Sequence, residues 1–234
     1  MNKRKVVVYS GTRKVYYDMG AACNSLLYHN PDIDQVYLLA EDPDIGFPLL
    51  IPEKVKILDV SDQKWFTPDS PNYNRRWSYM ILLRSVYTEL FPNEDLVLSL
   101  DIDTIINKNI DNLWLYDMTG FCLAGVQEPV KTFKYGSLYI NFGVVMMNLE
   151  ELRKTGIAKK ACRKLQTEKH GLPEQDVFNS LCTGRIKEIP SWWNTSCVTL
   201  NNQDPYIWHF AGPDKKTQLK EMQRKYILEG STNE

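Results

Sequence analysis

Short apolar runs alternate with amphipathic segments along the chain, and the two patterns predict different elements. β-branched residues dominate positions 6–9, while 96–100 is apolar at nearly every position, as in a strand buried on both faces. Apolar residues recur at helical spacing between 18 and 30, and again between 77 and 90. Further strands are predicted at 35–40, 55–59, 121–126, 139–148 and 206–208, and further helices at 153–169, 174–181 and 215–229. This alternation predicts an α/β fold whose sheet is mainly parallel in its first half.

Composition narrows the class of protein. The chain has 234 residues, 43% of them hydrophobic and 24% charged, which suits one folded domain and excludes extensive disorder. A net charge of −1 lacks the basic excess of proteins that neutralise many phosphates, so no nucleic acid is expected as a partner. The N-terminal apolar run is too short for a secretion signal, and no apolar stretch nears the roughly 20 residues of a membrane span. We therefore expect a cytoplasmic protein that is not transmembrane, and the sequence predicts no particular oligomeric state.

Two carboxylates follow the most apolar strand directly. Asp101 and Asp103 are two residues apart, so an extended backbone past Leu100 would point both side chains to one side, where a divalent cation could bind. The chain has two other Asp-x-Asp triplets, at 32–34 and 42–44, and such triplets arise by chance. Only the triplet at 101–103 comes directly after an apolar strand, where α/β sheets place ligand sites. Cation binding and a chance pair both stay open at this point.

A second cluster of candidate groups follows the predicted strand at 206–208. His209 comes at its end, and Gly212, Lys215 and Lys216 lie within the next seven residues. An imidazole could add a third cation ligand, and the lysines could bind phosphate. The alternative is a structural histidine followed by a solvated basic segment.

Several motifs in this order resemble those of glycosyltransferase family 8, the glycogenin and bacterial galactosyltransferase group with the GT-A fold. The resemblance covers 6–12 with Tyr16, Arg84, 96–104, 139–149, 174–179, 193–194 and 209–215. It implies a single domain with a Rossmann-like mixed sheet flanked by helices, in which 1–212 forms the GT-A domain and 213–234 a C-terminal loop and helix packed on it.

The resemblance also implies an activity. Family members of this kind transfer a hexose, glucose or galactose, from a UDP-sugar to a hydroxyl of a glycan, lipid-linked or protein acceptor, with retention of the anomeric configuration. The cofactor implied is Mn²⁺, with Mg²⁺ as the alternative, held by Asp101, Asp103 and His209.

Matching positions then imply individual roles. The catalytic candidates are Gln175, Asn141, Glu174 and Arg84. The candidates for binding the nucleotide sugar are Ser10, Gly11, Thr12, Tyr16, Arg84, Asp101, Ile102, Glu128, Gly212 and Lys215. Tyr16 is expected to stack on the uracil, with Tyr17 as the alternative.

Three positions depart from the family pattern. Glu174 and Glu128 stand where the family usually has Asp, and Lys216-Thr217 follows Lys215 where Pro-Trp is usual. The helix predicted at 215–229 has an apolar face that could cap the core. Its basic residues also permit a second interpretation, weak peripheral contact with an anionic membrane surface.

Two other functions remain as alternatives. A sugar-nucleotide nucleotidyltransferase would share the α/β sheet and the acidic cation site, but His209 has no role in that chemistry. A nucleotide-sugar or carbohydrate-binding module without turnover would keep the fold, and the departures at Glu174 and Lys216 are the residues that favour it.

Overall fold

A seven-stranded mixed sheet forms the centre of the molecule. The computed structural model describes residues 4–43, 54–73, 77–128, 138–196, 204–212 and 216–228. The sheet contains β1 (Val6–Gly11), β2 (Gln35–Ala40), β3 (Val55–Asp59), β4 (Leu96–Leu100), β6 (Leu123–Gln127), β7 (Ile140–Asn148) and β8 (Ile186–Glu188). Their order is β3-β2-β1-β4-β7-β6-β8, and the first four strands are parallel to one another, while β7 runs antiparallel to both neighbours. The expected α/β fold with a parallel first half is confirmed.

Helices cover both faces of this sheet. They are α1 (Tyr16–His29), α2 (Tyr87–Leu90), α3 (Leu149–Thr155), α4 (Ile157–Thr167), α5 (Pro173–Leu181) and α6 (Lys216–Leu228). Alternate residues of each strand enter opposite apolar layers, because successive side chains of a strand point to opposite faces. In β1, Val8 packs with the elements on one face, and Val7 and Tyr9 pack with α1 on the other.

A second, three-stranded sheet lies beside the carboxyl end of β4. It consists of β5 (Thr104–Ile106), β10 (Ile207–His209) and β9 (Thr195–Ser196) in the order β5-β10-β9. β5 and β10 are antiparallel, with Thr104 opposite His209. The apolar run at 206–208 predicted a strand near β10, whereas β5, β8 and β9, of two or three residues each, were not predicted from the pattern.

Two predicted helices differ in detail from the structure. Residues Tyr79–Val86 form a 3-10 helix that continues into α2, where a single α-helix was expected over 77–90. The helix expected over 153–169 begins earlier, at Leu149, because the Asn148 side chain accepts a hydrogen bond from Glu151 N. It is divided at Gly156, whose φ of +68° lies in the left-handed region that ends α3.

The C-terminal helix α6 packs on the main domain. Leu219 and Tyr226 are buried with Ile105 and Phe210, and Met222 is packed against them. Leu219, Met222 and Tyr226 thus form the face of α6 that contacts the rest of the domain. In the part of the chain that the structure describes, no helix has the length and apolar character that crossing a bilayer requires.

Candidate functional site

Asp101 and Asp103 are brought together by a tight turn. Strand β4 ends at Leu100, and the backbone N–H of Thr104 donates to Asp101 O at 3.2 Å while Thr104 Oγ1 donates to the same oxygen at 2.6 Å. The backbone past Leu100 is therefore a turn and not the extended conformation under which the sequence alone would have aligned the two side chains. The turn nevertheless places both carboxylates at the carboxyl end of β4, which is where the position of the triplet predicted a ligand site.

His209 joins this pair from the second sheet. Its Nε2 lies 3.3 Å from Asp103 Oδ1 and 3.7 Å from Asp101 Oδ2. One ligand atom from each of the three residues lies within 4.8 Å of the other two. The β5–β10 pairing explains the approach, since it sets His209 opposite Thr104 and lets Phe210 N donate to Asp103 O at 2.9 Å.

The electrostatics of these three residues suit a cation. Burial lowers the pKa of His209, but the adjacent Asp103 and Asp101 outweigh burial, so that the pKa is raised overall. Burial raises the pKa of Asp103, and His209 outweighs it in the opposite direction. Among the described residues, Asp103 Oδ1 has no hydrogen-bond partner although it is buried. A buried carboxylate oxygen without a donor needs a positive partner, and two carboxylates with one imidazole are a donor set that fits Mn²⁺ or Mg²⁺.

Gly143 makes room for the imidazole of His209. A Cβ added to Gly143 would lie 2.0 Å from His209 Cε1, so no other residue fits there without displacing the ring. Gly143 also uses both backbone groups at this site, because its carbonyl accepts from Asp101 N at 2.8 Å and its N–H donates to Asn141 Oδ1 at 2.8 Å. An isolated glycine inside an apolar strand often marks a place where another group approaches the backbone closely, so the sequence did contain a signal for this contact.

A second asparagine completes the surroundings of His209. Asn194 Nδ2 donates to Asn141 Oδ1 at 2.9 Å, and Asn194 Oδ1 lies 2.9 Å from His209 Nδ1. Asn194 and His209 are 6% and 3% exposed. Asn194 was part of a motif in the sequence but had been given no role.

Arg84 lies beneath the site and links three polar side chains. Its Nε donates to Ser99 Oγ at 2.9 Å, Nη1 to Glu174 Oε1 at 3.0 Å, and Nη2 to Asp101 Oδ1 at 2.6 Å. Burial lowers the pKa of Arg84, but Asp101 and Glu174 outweigh burial and raise it, so the guanidinium stays charged. With a side chain only 2% exposed, Arg84 holds two carboxylates in place from behind.

The side chains expected to bind the donor sugar are also linked to one another. Gln175 Nε2 donates to Glu128 Oε2 at 2.7 Å, and Gln175 Oε1 accepts from Phe142 N at 3.1 Å. Asn141 Nδ2 donates to the same Glu128 oxygen at 3.4 Å. Burial raises the pKa of Glu174 to about 7, with Arg84 acting in the opposite direction.

The candidate cation ligands and the side chains expected to contact the sugar line one pocket of about 330 Å³. Eight residues predicted from the sequence line it: Asp101, Asp103, Glu128, Asn141, Glu174, Gln175, His209 and Gly212. Trp77, Ile81, Leu172 and Pro173 form an apolar part of the wall that the sequence had not indicated. Gly212 has a φ of +105°, a conformation that favours glycine. Lys215 lies outside the described residues.

The loop expected to hold the nucleotide follows β1, next to the turn that carries Asp101 and Asp103. A Cβ on Gly11 would lie 3.9 Å from Ile102 Cγ2, which places the end of β1 beside the Asp101–Asp103 turn. Ser10 Oγ donates to Met80 O at 3.4 Å, and Thr12, which follows Gly11, is half-buried.

The two tyrosines proposed for uracil differ in exposure. Tyr16 is 4% exposed and donates its hydroxyl hydrogen bond to the carbonyl of Glu41. Tyr17 is 45% exposed, so it is the ring of the two with an accessible face.

The pocket carries an excess of negative charge. Its lining contains the carboxylates of Asp101, Asp103, Glu128 and Glu174, with Arg84 as a cationic partner to two of them. A diphosphate would be repelled by this surface, and a divalent cation bound between Asp101, Asp103 and His209 would offset much of the negative charge.

Comparison with known proteins gives a consistent assignment. A family model described as Glycosyl transferase family 8 matches residues 48–224. A Haemophilus influenzae protein is 25% identical over 175 residues, which is 63% of this chain and 52% of that protein. Glycosyltransferase GlyF of Streptococcus pneumoniae is 22% identical over 231 residues, 91% of this chain and 57% of GlyF. The chain thus spans about half the length of these curated relatives.

Solved structures share the fold. The galactosyltransferase LgtC, in complex with donor and acceptor sugar analogues, superimposes with a TM-score of 0.75 at 17% identity, covering 94% of this chain and 95% of LgtC. The glycosyltransferase GlyE of Streptococcus pneumoniae gives a TM-score of 0.71 at 20% identity, covering 97% of this chain and 61% of GlyE. At these identities the likeness establishes the architecture, a GT-A-like α/β fold.

Proposed function

Since this chain belongs to glycosyltransferase family 8, we propose that it transfers a hexose, glucose or galactose, from a UDP-sugar to an acceptor hydroxyl with retention of the anomeric configuration. The observation that carries the proposal is the convergence of Asp101, Asp103 and His209 within 4.8 Å at the edge of the pocket that Gln175 and Asn141 line. The acceptor is a glycan, a lipid-linked sugar or a protein.

The cation ligands are Asp101, Asp103 and His209, and the preferred ion is Mn²⁺, with Mg²⁺ as the alternative. A bound divalent cation would neutralise charge on the departing diphosphate, which is the electrostatic assistance that this transfer requires. Arg84 supports that role from behind by holding Asp101. Lys215, outside the described residues, is the further candidate for the diphosphate.

The remaining pocket residues act on the sugar. Gln175, Asn141 and Glu128 carry amide and carboxylate groups suited to hexose hydroxyls, and their mutual hydrogen bonds fix their orientation before the donor arrives. Amide and carboxylate oxygens facing the anomeric carbon would stabilise the positive charge that develops there. The acceptor proton passes to the leaving phosphate oxygen, and the retained configuration follows from attack on the face from which that oxygen departs.

The nucleotide is assigned to the end of β1. Ser10, Gly11 and Thr12 lie there, and Ile102 lies beside Gly11. Tyr17, with its accessible ring, takes the stacking role first expected of Tyr16. Gly212, at the edge of the pocket, allows close approach of its backbone to the diphosphate.

Hydrolysis of UDP-glucose and UDP-galactose, measured with Mn²⁺ or with a chelator, tests the proposal. We expect turnover with Mn²⁺ only, and a loss of about 100-fold or more in an Asp101→Ala, Asp103→Ala variant. The matched control is Asp32→Ala with Asp34→Ala, which removes another Asp-x-Asp pair and should leave the rate unchanged.

Three other outcomes would contradict the proposal. Equal turnover in chelator would exclude the cation. Tight binding of the donor without hydrolysis or transfer over hours would identify a binding module. Formation of a sugar nucleotide from a nucleoside triphosphate and a sugar phosphate would identify a nucleotidyltransferase.

A further inference from the structure

We propose, building on the cation site proposed above, that Asn194 is a positioning residue that fixes which nitrogen of His209 faces the cation. A histidine ligand must present a nitrogen lone pair to the metal, so its proton has to lie on the other ring nitrogen. The hydrogen bonds around His209 form a directional chain that decides between the two nitrogens.

The chain of hydrogen bonds starts at a backbone amide. Gly143 N–H lies 2.8 Å from the side chain of Asn141, and a backbone N–H can only donate. The Asn141 atom that faces it must therefore be the carbonyl oxygen. The polarity of the peptide group is fixed, so it determines which end of the Asn141 amide faces Gly143.

The same oxygen determines the orientation of Asn194. The Asn194 atom 2.9 Å from Asn141 Oδ1 must be a donor, and the only donor of this side chain is its amide nitrogen. Asn194 Oδ1 consequently points the other way, to His209 Nδ1 at 2.9 Å. A carbonyl oxygen only accepts, so Nδ1 carries the proton.

The consequence for the cation site follows from the ring itself. With the proton on Nδ1, the lone pair is on Nε2, the atom that lies 3.3 Å from Asp103 Oδ1 and 3.7 Å from Asp101 Oδ2. Gly143 fixes the ring plane by packing against it. Because Asn194 and His209 are both buried, the hydrogen bond to Nδ1 is not readily replaced by solvent.

Removal of the acceptor at Nδ1 would reverse this preference. Two carboxylates close to Nε2 attract a proton, and without Asn194 the neutral ring would keep its proton on Nε2. That tautomer offers no lone pair to a cation between Asp101 and Asp103. Groups that hold the second nitrogen of a metal-binding histidine commonly change metal affinity by 10- to 100-fold.

A purely structural role for Asn194 makes a different prediction. Asn194 directly follows the 3-10 segment Ser191–Trp193, and its buried amide could serve folding alone. In that case its removal would lower stability without affecting a cation that binds to the folded protein. Affinity and stability therefore have to be measured separately.

Titration of the 234-residue chain with Mn²⁺ alone, followed by electron paramagnetic resonance, provides the affinity. We expect Asn194→Leu to weaken Mn²⁺ binding by about 10- to 100-fold. Asn194→Asp should retain most of the affinity, because it keeps an oxygen that accepts from Nδ1. The control Asn30→Leu removes another buried asparagine, which bonds to Leu26 O and Ile110 N, and should lower stability without changing affinity.

Nitrogen-15 NMR of the imidazoles, with three histidines in the chain, reports the proton directly. In the wild-type protein Nδ1 of His209 should be protonated, both metal-free and with diamagnetic Mg²⁺, whereas in Asn194→Leu the neutral ring should carry its proton on Nε2. An unprotonated Nδ1 in the wild type, or unchanged His209 resonances in folded Asn194→Leu, would overturn the inference. Absence of Mn²⁺ binding by the wild type would instead overturn the proposed cation site, and the NMR result would still decide the tautomer.

Discussion

At the scale of single residues, Gly143 decides whether His209 can reach the two aspartates. We expect Gly143→Ala to displace the imidazole, because the added Cβ would lie 2.0 Å from His209 Cε1. Overpacking of this kind costs about 1–3 kcal/mol of stability. Mn²⁺ affinity should fall by at least about tenfold, since one of three ligands moves. Isothermal titration and thermal unfolding measure the two effects.

Gly171→Ala is the matched control for that substitution. A Cβ at Gly171 would meet Asp176 Oδ2 at 3.5 Å, an ordinary contact, although Gly171 lies next to Leu172 of the same pocket. Equal Mn²⁺ affinity in Gly143→Ala and the wild type would show that His209 does not bind the cation in the arrangement described here.

Glu174 makes the stability of the metal-free protein depend on pH. Burial raises its pKa from 4.5 to about 7, so the folded protein binds a proton more tightly than the unfolded chain does. The stability that the protonated Glu174 contributes is fully present below about pH 4.5 and is lost as the pH rises through about 7. The loss in the free energy of unfolding amounts to roughly 1–3 kcal/mol. Urea unfolding in chelator at several pH values should show the loss.

The variant Glu174→Gln removes the titrating group, so its free energy of unfolding should depend less on pH over the same range. It keeps an oxygen that can accept from Arg84 Nη1. If wild type and Glu174→Gln show the same pH dependence between about 4.5 and 7, the carboxylate of Glu174 does not titrate there.

The sequence predicted the chemical groups of the site better than their contacts. Asp101, Asp103 and His209 could be named because each directly follows or ends an apolar strand, and Gln175 and Glu128 because of the family resemblance. The role of Asn194 could not, since it depends on a hydrogen bond to His209 from another strand. Arg84 was expected to bind the nucleotide sugar, but its burial against Ser99 and two carboxylates could not be predicted from a linear pattern.

At the scale of elements, the longer strands were predictable and most of the short ones were not. β2 and β3 have the bounds that the sequence predicted, because Pro, Gly or Asp residues bound each of them. β5 and β9 exist only because β10 lies between them, so the interactions that form them are distant in sequence. Tyr79–Val86 is a 3-10 helix with all but one of its residues buried, and its apolar spacing did not distinguish this form from an α-helix.

The docking of α6 makes a prediction at this scale. Tyr226 is 2% exposed, and its hydroxyl donates to Ile106 O at 3.3 Å and lies 3.0 Å from His29 Nε2. We expect Tyr226→Ala to destabilise the protein by about 3 kcal/mol or more, because it leaves a cavity and unpaired polar groups. Chemical unfolding measures this.

Arg224→Ala is the control on the exposed side of the same helix, and it should change stability by less than about 0.5 kcal/mol. If Tyr226→Ala were as stable as the wild type, α6 would not be part of the folded core.

Cosedimentation with vesicles containing anionic lipid, abolished by Lys220→Glu with Arg224→Glu, would support the alternative of peripheral membrane contact.

At the scale of the whole molecule, the two sheets meet where the charge is concentrated. β1 and β4 end at the same edge of the large sheet, and the small sheet brings His209 to that edge. The two carboxylates therefore lie in the turn that joins the two sheets, and the imidazole comes from the small sheet. A cation bound by all three connects the two sheets, and its binding should stabilise the whole fold.

This arrangement predicts an order of ligand binding that unfolding temperatures can reveal. Because carboxylates surround the pocket, UDP-hexose alone should raise the unfolding temperature little, Mn²⁺ alone should raise it, and the two together should exceed the sum. A ligand at a hundredfold excess over its Kd adds about 2.7 kcal/mol to the stability. In the double variant Asp101→Asn, Asp103→Asn, Mn²⁺ should no longer raise the unfolding temperature. Mn²⁺ and UDP-hexose together should then raise it no more than UDP-hexose does alone. An equal shift from UDP-hexose with and without Mn²⁺ would mean that the diphosphate is neutralised by protein groups alone, with Lys215 the first residue to test.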